Sequence, residues 1–276
     1  MLVEFTKMHG LGNDFVVINN VRQSIQLTPE QVRLLADRHF GIGCDQLLLA
    51  EAATIPGSDF RYRIFNADGG EVGQCGNGAR CFMQFAHEQG LTDKSTLMVE
   101  TESGPLQLTR EADGQITVDM GIPRLDPVDI PFTAPTRDTV YALEVDELRL
   151  EIAAVSMGNP HAVLLVDDIE SAPVADLGPV IENHARFPEH ANVGFMQIVD
   201  SETIRLRVYE RGAGETLACG SGACAAVVAG RIWERLGTRI KVILKGGELV
   251  VSWVGEGYPV VLTGSATTVY QGRIEL

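Results

Sequence analysis

Two hydrophobic periods alternate along the chain. Short, alternating, β-branched stretches cover Leu2 to Lys7 and Phe15 to Ile18, and a related pair covers Leu148 to Val155 and Ala162 to Val166. Successive strand side chains point to opposite faces, so these stretches predict strands. A helix is predicted after the first pair. Thr28-Pro29-Glu30-Gln31 reads as an N-cap, a proline in the first turn and a capping-box glutamine, with Gly41 beyond the end. The matching stretch, Asp176 to Arg186, is a less regular candidate because it holds Gly178 and Pro179. Strands are predicted next at Tyr62 to Phe65 and Ile204 to Tyr209. A helix over Gly76 to Gln89 carries an apolar stripe (Ala79, Phe82, Met83, Ala86) and ends before Gly90. A second, Gly222 to Leu236, is apolar nearly all round, which predicts burial on every side. Further strands are predicted at Leu97 to Glu100, Leu106 to Leu108 and Ile116 to Met120, and at Ile240 to Leu244, Glu248 to Trp253 and Val260 to Leu262.

This order of elements occurs twice because the sequence repeats. R-I-F-N-A-D-G-G-E-V-G-Q-C-G-N-G-A (Arg63 to Ala79) and R-V-Y-E-R-G-A-G-E-T-L-A-C-G-S-G-A (Arg207 to Ala223) share an arginine, an aliphatic, an aromatic and G-E-x-x-x-C-G-x-G-A, at an offset of 144. Upstream, Gly12-Asn13-Asp14-Phe15 echoes Gly158-Asn159-Pro160-His161 at an offset of 146. Two echoes in the same order point to an ancient duplication. The expected fold class is α+β, with two pseudo-symmetric halves facing each other across a cleft. Each half is expected to be a mostly antiparallel sheet wrapped around a central helix. The proline-rich stretch Ile122 to Pro135 is the expected crossover, giving one half over 1–121 plus 264–276 and the other over 122–263.

Composition narrows the function. Lys and Arg number 22 against 37 Asp and Glu, a net charge of −15, and no basic cluster is present; nucleic acid is not an expected partner. No apolar run approaches a bilayer span, and Met1 to Asn13 lacks the apolar core of a secretory signal, so no membrane partner and a cytoplasmic location are expected. The five cysteines (Cys44, Cys75, Cys81, Cys219, Cys224) are odd in number and form no C-x-x-C, which fits reduced thiols and no metal site.

Cys75 and Cys219 stand at equivalent places, each just before a helix that opens Gly-x-Gly-Ala. The first turn of a helix leaves N–H groups without intrahelical partners and carries partial positive charge. Glycine lets a ligand approach that backbone. Such a place suits a carboxylate, and it favours thiolate over thiol, while burial acts the other way. Two cysteines with two anion-binding helix ends fit the inversion of a carbon next to a carboxylate. One sulfur, as thiolate, removes the α-proton, and the other, as thiol, returns a proton from the opposite face. Cys44, Cys81 and Cys224 read as buried hydrophobes.

The motifs M-H-G-L-G-N-D-F (Met8 to Phe15), N-A-D-G-G-E-V-G-Q-C-G-N-G-A-R-C (Asn66 to Cys81), G-N-P-H (Gly158 to His161) and E-R-G-A-G-E-T-L-A-C-G-S-G-A-C (Glu210 to Cys224) resemble those of diaminopimelate epimerases, along the whole chain. The resemblance implies a pyridoxal-phosphate-independent epimerase, with no cofactor and usually a homodimer, that interconverts LL- and meso-diaminopimelate in lysine and peptidoglycan-precursor synthesis. It implies Cys75 and Cys219 as acid and base, and Gly76-Asn77 and Gly220-Ser221 as the carboxylate cradle. Asn13, Gln46, Asn66, Asn159, Asn192, Glu210 and Arg211 are implied as substrate-binding. His161 and Glu210 are implied to tune the cysteines, and Tyr270 to take part in dimerisation. Asn and Gln both donate and accept, and Arg grips a carboxylate with two bonds, as a substrate with a distal ammonium and carboxylate requires.

Taken singly, these residues also fit plainer roles. Asn13 and Asn159 beside glycines suit turns, His161 a strand edge, Asn192 a loop, Glu210-Arg211 a solvated pair, and Tyr270 packing in a terminal strand. The rival functions are another cofactor-independent amino-acid racemase of the same fold, such as a proline racemase, a PhzF-like isomerase without the paired cysteines, and a non-catalytic redox or metal-binding module.

Overall fold

A computed structural model describes every residue except Gln74, Asp146 and Glu147. Gln74 belongs to the first cysteine motif, and that position of the motif lies outside the described residues. The chain divides into two compact units, Met1–Asp119 with Thr263–Leu276, and Met120–Leu262. Among the described residues, no helix is long and apolar enough to cross a membrane.

Unit 1 contains β1 (Leu2–Gly10), β2 (Asn13–Asn19), the single turn α1 (Asn20–Gln23), α2 (Pro29–Ala36), β3 (Gln46–Ala52), β4 (Phe60–Asn66), β5 (Glu71–Val72), α3 (Gly76–Glu88), β6 (Thr96–Thr101), β7 (Gly104–Arg110) and β8 (Ile116–Asp119). The C-terminal strand Thr267–Glu275 returns to pair with β1. β2 runs parallel to β3 and β4 parallel to β6, whereas β1–β2, β3–β4, β4–β5, β6–β7 and β7–β8 are antiparallel. The sheet wraps α3, which packs on β1, β2, β3, β7 and β8.

Unit 2 contains β9 (Tyr141–Val145), β10 (Leu148–Ser156), β11 (Pro160–Leu165), α4 (Val174–Glu182), β12 (Asn192–Asp200), β13 (Thr203–Glu210), β14 (Gly214–Thr216), α5 (Gly220–Ile232), β15 (Arg239–Leu244) and β16 (Gly247–Ser252), and it ends within β17 (Val261–Gly264), whose last two residues are counted with unit 1. Its pairings reproduce those of unit 1 in order and sense. β10–β11 is antiparallel, β11–β12 parallel, β12–β13 and β13–β14 antiparallel, β13–β15 parallel and β15–β16 antiparallel. The repeat read in the sequence is thus a repeat of topology, and the sheets are mostly antiparallel as expected, with parallel pairings at β2–β3, β4–β6, β11–β12 and β13–β15.

The shared frame of the repeat has a physical reason. Arg63 binds Glu71 with two bonds of 2.7 Å, and Arg207 binds Glu215 with bonds of 2.6 and 3.0 Å. Each pair fastens the β-turn that leads into a cysteine motif. The helix ends correspond too. α3 closes on Gly90 in the left-handed region (φ 60°), with Leu91 N–H donating to the Ala86 carbonyl. α5 closes identically on Glu234 (φ 58°), with Arg235 N–H donating to Gly230. This corrects the predicted Gly222–Leu236 helix. It starts two residues earlier and stops at Ile232, because a glutamate holds the place that a glycine usually marks. α4 likewise starts at Val174 and stops at Glu182, with Pro179 inside it. α2 has both reciprocal bonds of the capping box between Thr28 and Gln31.

Candidate active site

In unit 1 the tight turn between β1 and β2 is made by Leu11 and Gly12, both at positive φ (58° and 89°). It delivers Asn13 to the start of α3. Cys75 is the N-cap of α3, in extended backbone. Its Sγ donates to Asn13 Oδ1 at 3.8 Å, and Asn77 Nδ2 donates to the same oxygen at 3.2 Å. Gln46 and Asn66 face each other across β3 and β4, and Gln46 Nε2 donates to Asn66 Oδ1 at 2.9 Å. Behind Asn13 lies a charged cluster. Lys7 Nζ (2.6 Å) and Arg38 donate to Asp14, and Arg38 also donates to Asp45. Burial opposes ionisation of Asp14, yet the bonds from Arg38 and Lys7 hold its carboxyl far below the usual range. Gly78 lets α3 lie against β4, since a Cβ there would sit 2.6 Å from the Tyr62 hydroxyl, which itself donates to the Cys75 carbonyl at 3.2 Å.

In unit 2, Cys219 is the N-cap of α5, and its Sγ accepts from the Gly222 N–H at 3.4 Å. Ser221 Oγ lies 3.6 Å from the sulfur and accepts from Asn159 Nδ2 at 3.5 Å. Asn159 Oδ1 in turn contacts His161 Nε2 at 3.0 Å. Burial, seconded by Arg211, pushes the His161 pKa down to about 3, so the ring is neutral. Burial raises the Cys219 thiol well above its ordinary value, and the nearby Glu210 pushes the same way against the Ser221 and Gly222 hydrogen bonds. The helix N-terminus does not win here; Cys219 rests as a thiol. Asn192 Oδ1 accepts from the Arg211 backbone at 3.0 Å, and its Nδ2 donates to the Pro160 carbonyl at 3.1 Å. Arg211 Nη1 donates to the Glu189 carbonyl at 2.9 Å, and Thr216 donates to Glu210.

Unit 1 therefore joins Asn13, Cys75 and Asn77 in one network and Gln46 with Asn66 in another. Unit 2 joins Asn159, His161, Cys219 and Ser221, and separately Asn192 with Arg211. Gly76 and Gly220 open the two helices. Tyr270 joins none of these networks; it is half-exposed and lies edge-on to Phe5 at 6.0 Å between centroids. All five cysteines are in the reduced form, and Cys44, pushed up to about 11 by burial, is an inert thiol. Among the described residues no group of three or more His, Cys, Asp or Glu could hold a metal ion. The sequence reading missed Arg80 and Asp45. Arg80 is fully buried in α3, where a charge needs dedicated partners, but its burial is not written in the local sequence.

The family model for diaminopimelate epimerase matches residues 5–125 and 153–269. The chain belongs to the diaminopimelate epimerase family. It is 60% identical over 276 residues to a diaminopimelate epimerase of Aromatoleum aromaticum, covering all of both chains. It is 61% identical over 278 residues to one of Thioalkalivibrio sulfidiphilus, again covering both completely. Among solved structures, a PhzF-family phenazine biosynthesis protein of Bacillus anthracis superposes with a TM-score of 0.72 at 16% identity, covering 100% of both chains. A hydroxyproline epimerase of Agrobacterium vitis gives 0.72 at 15% identity, covering 99% of this chain and 92% of the other. At those identities the likeness is one of fold. The segments matched by the diaminopimelate epimerase model hold both cysteine motifs and every polar residue of these networks; Tyr270 falls one residue beyond them.

Proposed function

We propose that the chain epimerises diaminopimelate by a two-base reaction in which Cys75 and Cys219 act on opposite faces of one α-carbon. The chain is an isomerase of the diaminopimelate epimerase family. The observation that carries the assignment of the bases is the duplicated helix start, with each cysteine serving as the N-cap of a helix that opens Gly-x-Gly-Ala. The buried Cys219 supplies the proton as a thiol, and Cys75, once its own S–H proton has passed to solvent, takes the α-proton as thiolate. The electron pair left on carbon spreads into the carboxylate, held by backbone N–H groups at Gly76-Asn77 and Gly220-Ser221. After turnover the two sulfurs have exchanged protonation states, so the reverse reaction exchanges their roles. Asn13, Gln46, Asn66, Asn159, Asn192, Glu210 and Arg211 bind the rest of the substrate. His161, neutral in its buried place, and Glu210 tune Cys219.

The same reading gives the enzyme a homodimer built through the C-terminal strand, where Val269 and Tyr270 are exposed. It also places it in the cytoplasm, where thiols stay reduced. The test is incubation with LL-diaminopimelate in deuterated water without pyridoxal phosphate. Deuterium is expected at the α-carbon, and Cys75→Ala and Cys219→Ala each abolish epimerisation. Full turnover by either single variant defeats the two-base assignment.

A further inference from the structure

Asn13 and Asn159 hold equivalent places in the repeat, but their amides are held differently. In unit 1 the amide contacts form a chain that ends on a guanidinium at one side and on a carboxylate at the other. The Arg80 guanidinium donates to Asn77 Oδ1 at 2.9 Å, Asn77 Nδ2 donates to Asn13 Oδ1 at 3.2 Å, and Asn13 Nδ2 donates to Asp45 Oδ2 at 3.0 Å. A guanidinium has no acceptor and an ionised carboxylate has no donor. Neither amide can therefore turn over without setting donor against donor or acceptor against acceptor. Arg80 is 0% exposed and is itself fixed by the Ser265 carbonyl (3.1 Å), with Gly10 leaving room for its Nη2. Asp45 is fixed by Arg38 at 2.7 Å. In unit 2 the repeat puts Cys224 where Arg80 stands and Ser221 where Asn77 stands. There Asn159 contacts a serine hydroxyl and a neutral imidazole, both of which can reverse.

We propose that Arg80 and Asp45 are positioning residues that lock the Asn77–Asn13 amide pair in one polarity, so that Asn13 presents its carbonyl oxygen rather than its N–H to the sulfur of Cys75. The proposal rests on the reading of Cys75 as a base. An acceptor facing the sulfur supports S–H and withholds stabilisation from the thiolate. The thiolate, once formed, is then the stronger base. The lock thus makes Cys75 a fixed partner, whereas the hydrogen-bond chain beside Cys219 can follow the proton. The other titratable groups that face Cys75 include Tyr62, on β4, and Cys81, on α3. Burial keeps both neutral. Lys7, Asp14 and Arg38 lie behind Asn13.

The experiment is the pH profile of iodoacetamide labelling at Cys75, read peptide by peptide by mass spectrometry in the full chain, for wild type, Asp45→Asn, Asp45→Glu and Arg80→Lys. The amide that Asp45→Asn introduces can donate as well as accept, which frees the Asn13 amide to turn. The labelling midpoint in Asp45→Asn is expected to fall by about one pH unit. Labelling below the midpoint should rise only about threefold, because nucleophilicity falls with pKa. Above both midpoints, where Cys75 is fully thiolate in either protein, kcat is expected to fall about threefold with KM little changed, and Asp45→Glu restores both readouts. Arg80→Lys, which keeps the charge at the buried end, shifts the midpoint less. Loss of a distant charge alone would be screened, so the midpoint shift must survive in about 0.5 M salt. An Asp45→Asn profile that superimposes on wild type, or a shift abolished by salt, overturns the lock. Labelling does not depend on turnover. A midpoint shift in a protein whose Cys75→Ala variant still epimerises would leave the lock standing and remove the catalytic reading.

Discussion

His161 shows how one side chain links burial to pH. It is 1% exposed at the start of β11, with Nε2 against Asn159. The unfolded chain binds a proton there near the ordinary histidine value of about 6.5, the folded chain only at about 3. Between those values the unfolded state holds more protons, so stability from this site is complete above about 6.5 and is lost as pH falls toward 3. The slope reaches about 1.4 kcal/mol per pH unit. Depressed carboxylates such as Asp14 act below this range, so urea midpoints between about pH 5 and 6.5 isolate the imidazole. Wild type should lose stability across that interval, while His161→Gln should give a flatter profile from a lower starting point. Parallel profiles would mean that the ring is protonated inside the fold. Residue type was readable at this scale, since the asparagines, His161 and both cysteines stand out by motif. Their partners were not: Asp45 and Thr216 reach Asn13 and Glu210 from other elements, Arg80 reaches Asn77 from one turn further along α3, and nothing local marks a residue as the far end of a hydrogen bond.

At the scale of elements, what could be read followed from period and punctuation. The capping box of α2 and the glycine end of α3 carry local signals and fell where the sequence placed them. β3 and β12 were not predicted. Each is a parallel-paired strand near the centre of its sheet, with a run of buried residues on both faces (Leu47 to Ala50, Asn192 to Met196), so the alternation that marks a strand is missing. The two cysteine helices were recognised, but the reason for their second glycine is tertiary. A Cβ at Gly78 would meet the Tyr62 hydroxyl at 2.6 Å and Phe15 at 3.2 Å, and both rings are buried and cannot swing aside. Gly78→Ala should therefore lose about 1–3 kcal/mol in urea unfolding, despite the better helix propensity of alanine, and should lower kcat by shifting Cys75. At Gly222 the added carbon would sit 3.2 Å from Cys219 Sγ and 3.0 Å from Val208. Gly222→Ala should change the alkylation rate of Cys219 more than the stability. Wild-type behaviour in both variants would mean that the glycines serve the backbone alone.

On the scale of the molecule, duplication produced two units of one topology, but only unit 2 is a continuous stretch of chain. Unit 1 needs both ends. β1 pairs with the C-terminal strand from Leu2 opposite Glu275 to His9 opposite Thr267, and Phe5 packs on Tyr270. The internal repeat made the two halves legible, and the expected half over 1–121 plus 264–276 already grouped the C-terminal segment with the N-terminal one; the strand pairing itself was not predicted, because its partners lie at opposite ends of the sequence. Contacts so distant in sequence carry a high loop-closure cost and form late in folding. Deletion of Thr267–Leu276 leaves Ser265, the acceptor of Arg80, in place, but it strips β1 of its neighbour and uncovers the buried Val3 and Phe5. Amide hydrogen exchange should then accelerate through β1 to β4 by orders of magnitude, since these strands depend on the lost edge for burial. β11 to β13, which pair with one another, should keep their protection. Activity should disappear with the ordering of Asn13 and Cys75, even though every proposed binding and catalytic residue is still present. Equal loss of protection in β11 to β13 would show that the units unfold as one body; unchanged exchange in β1 to β4 would show that the C-terminal strand is dispensable to the fold.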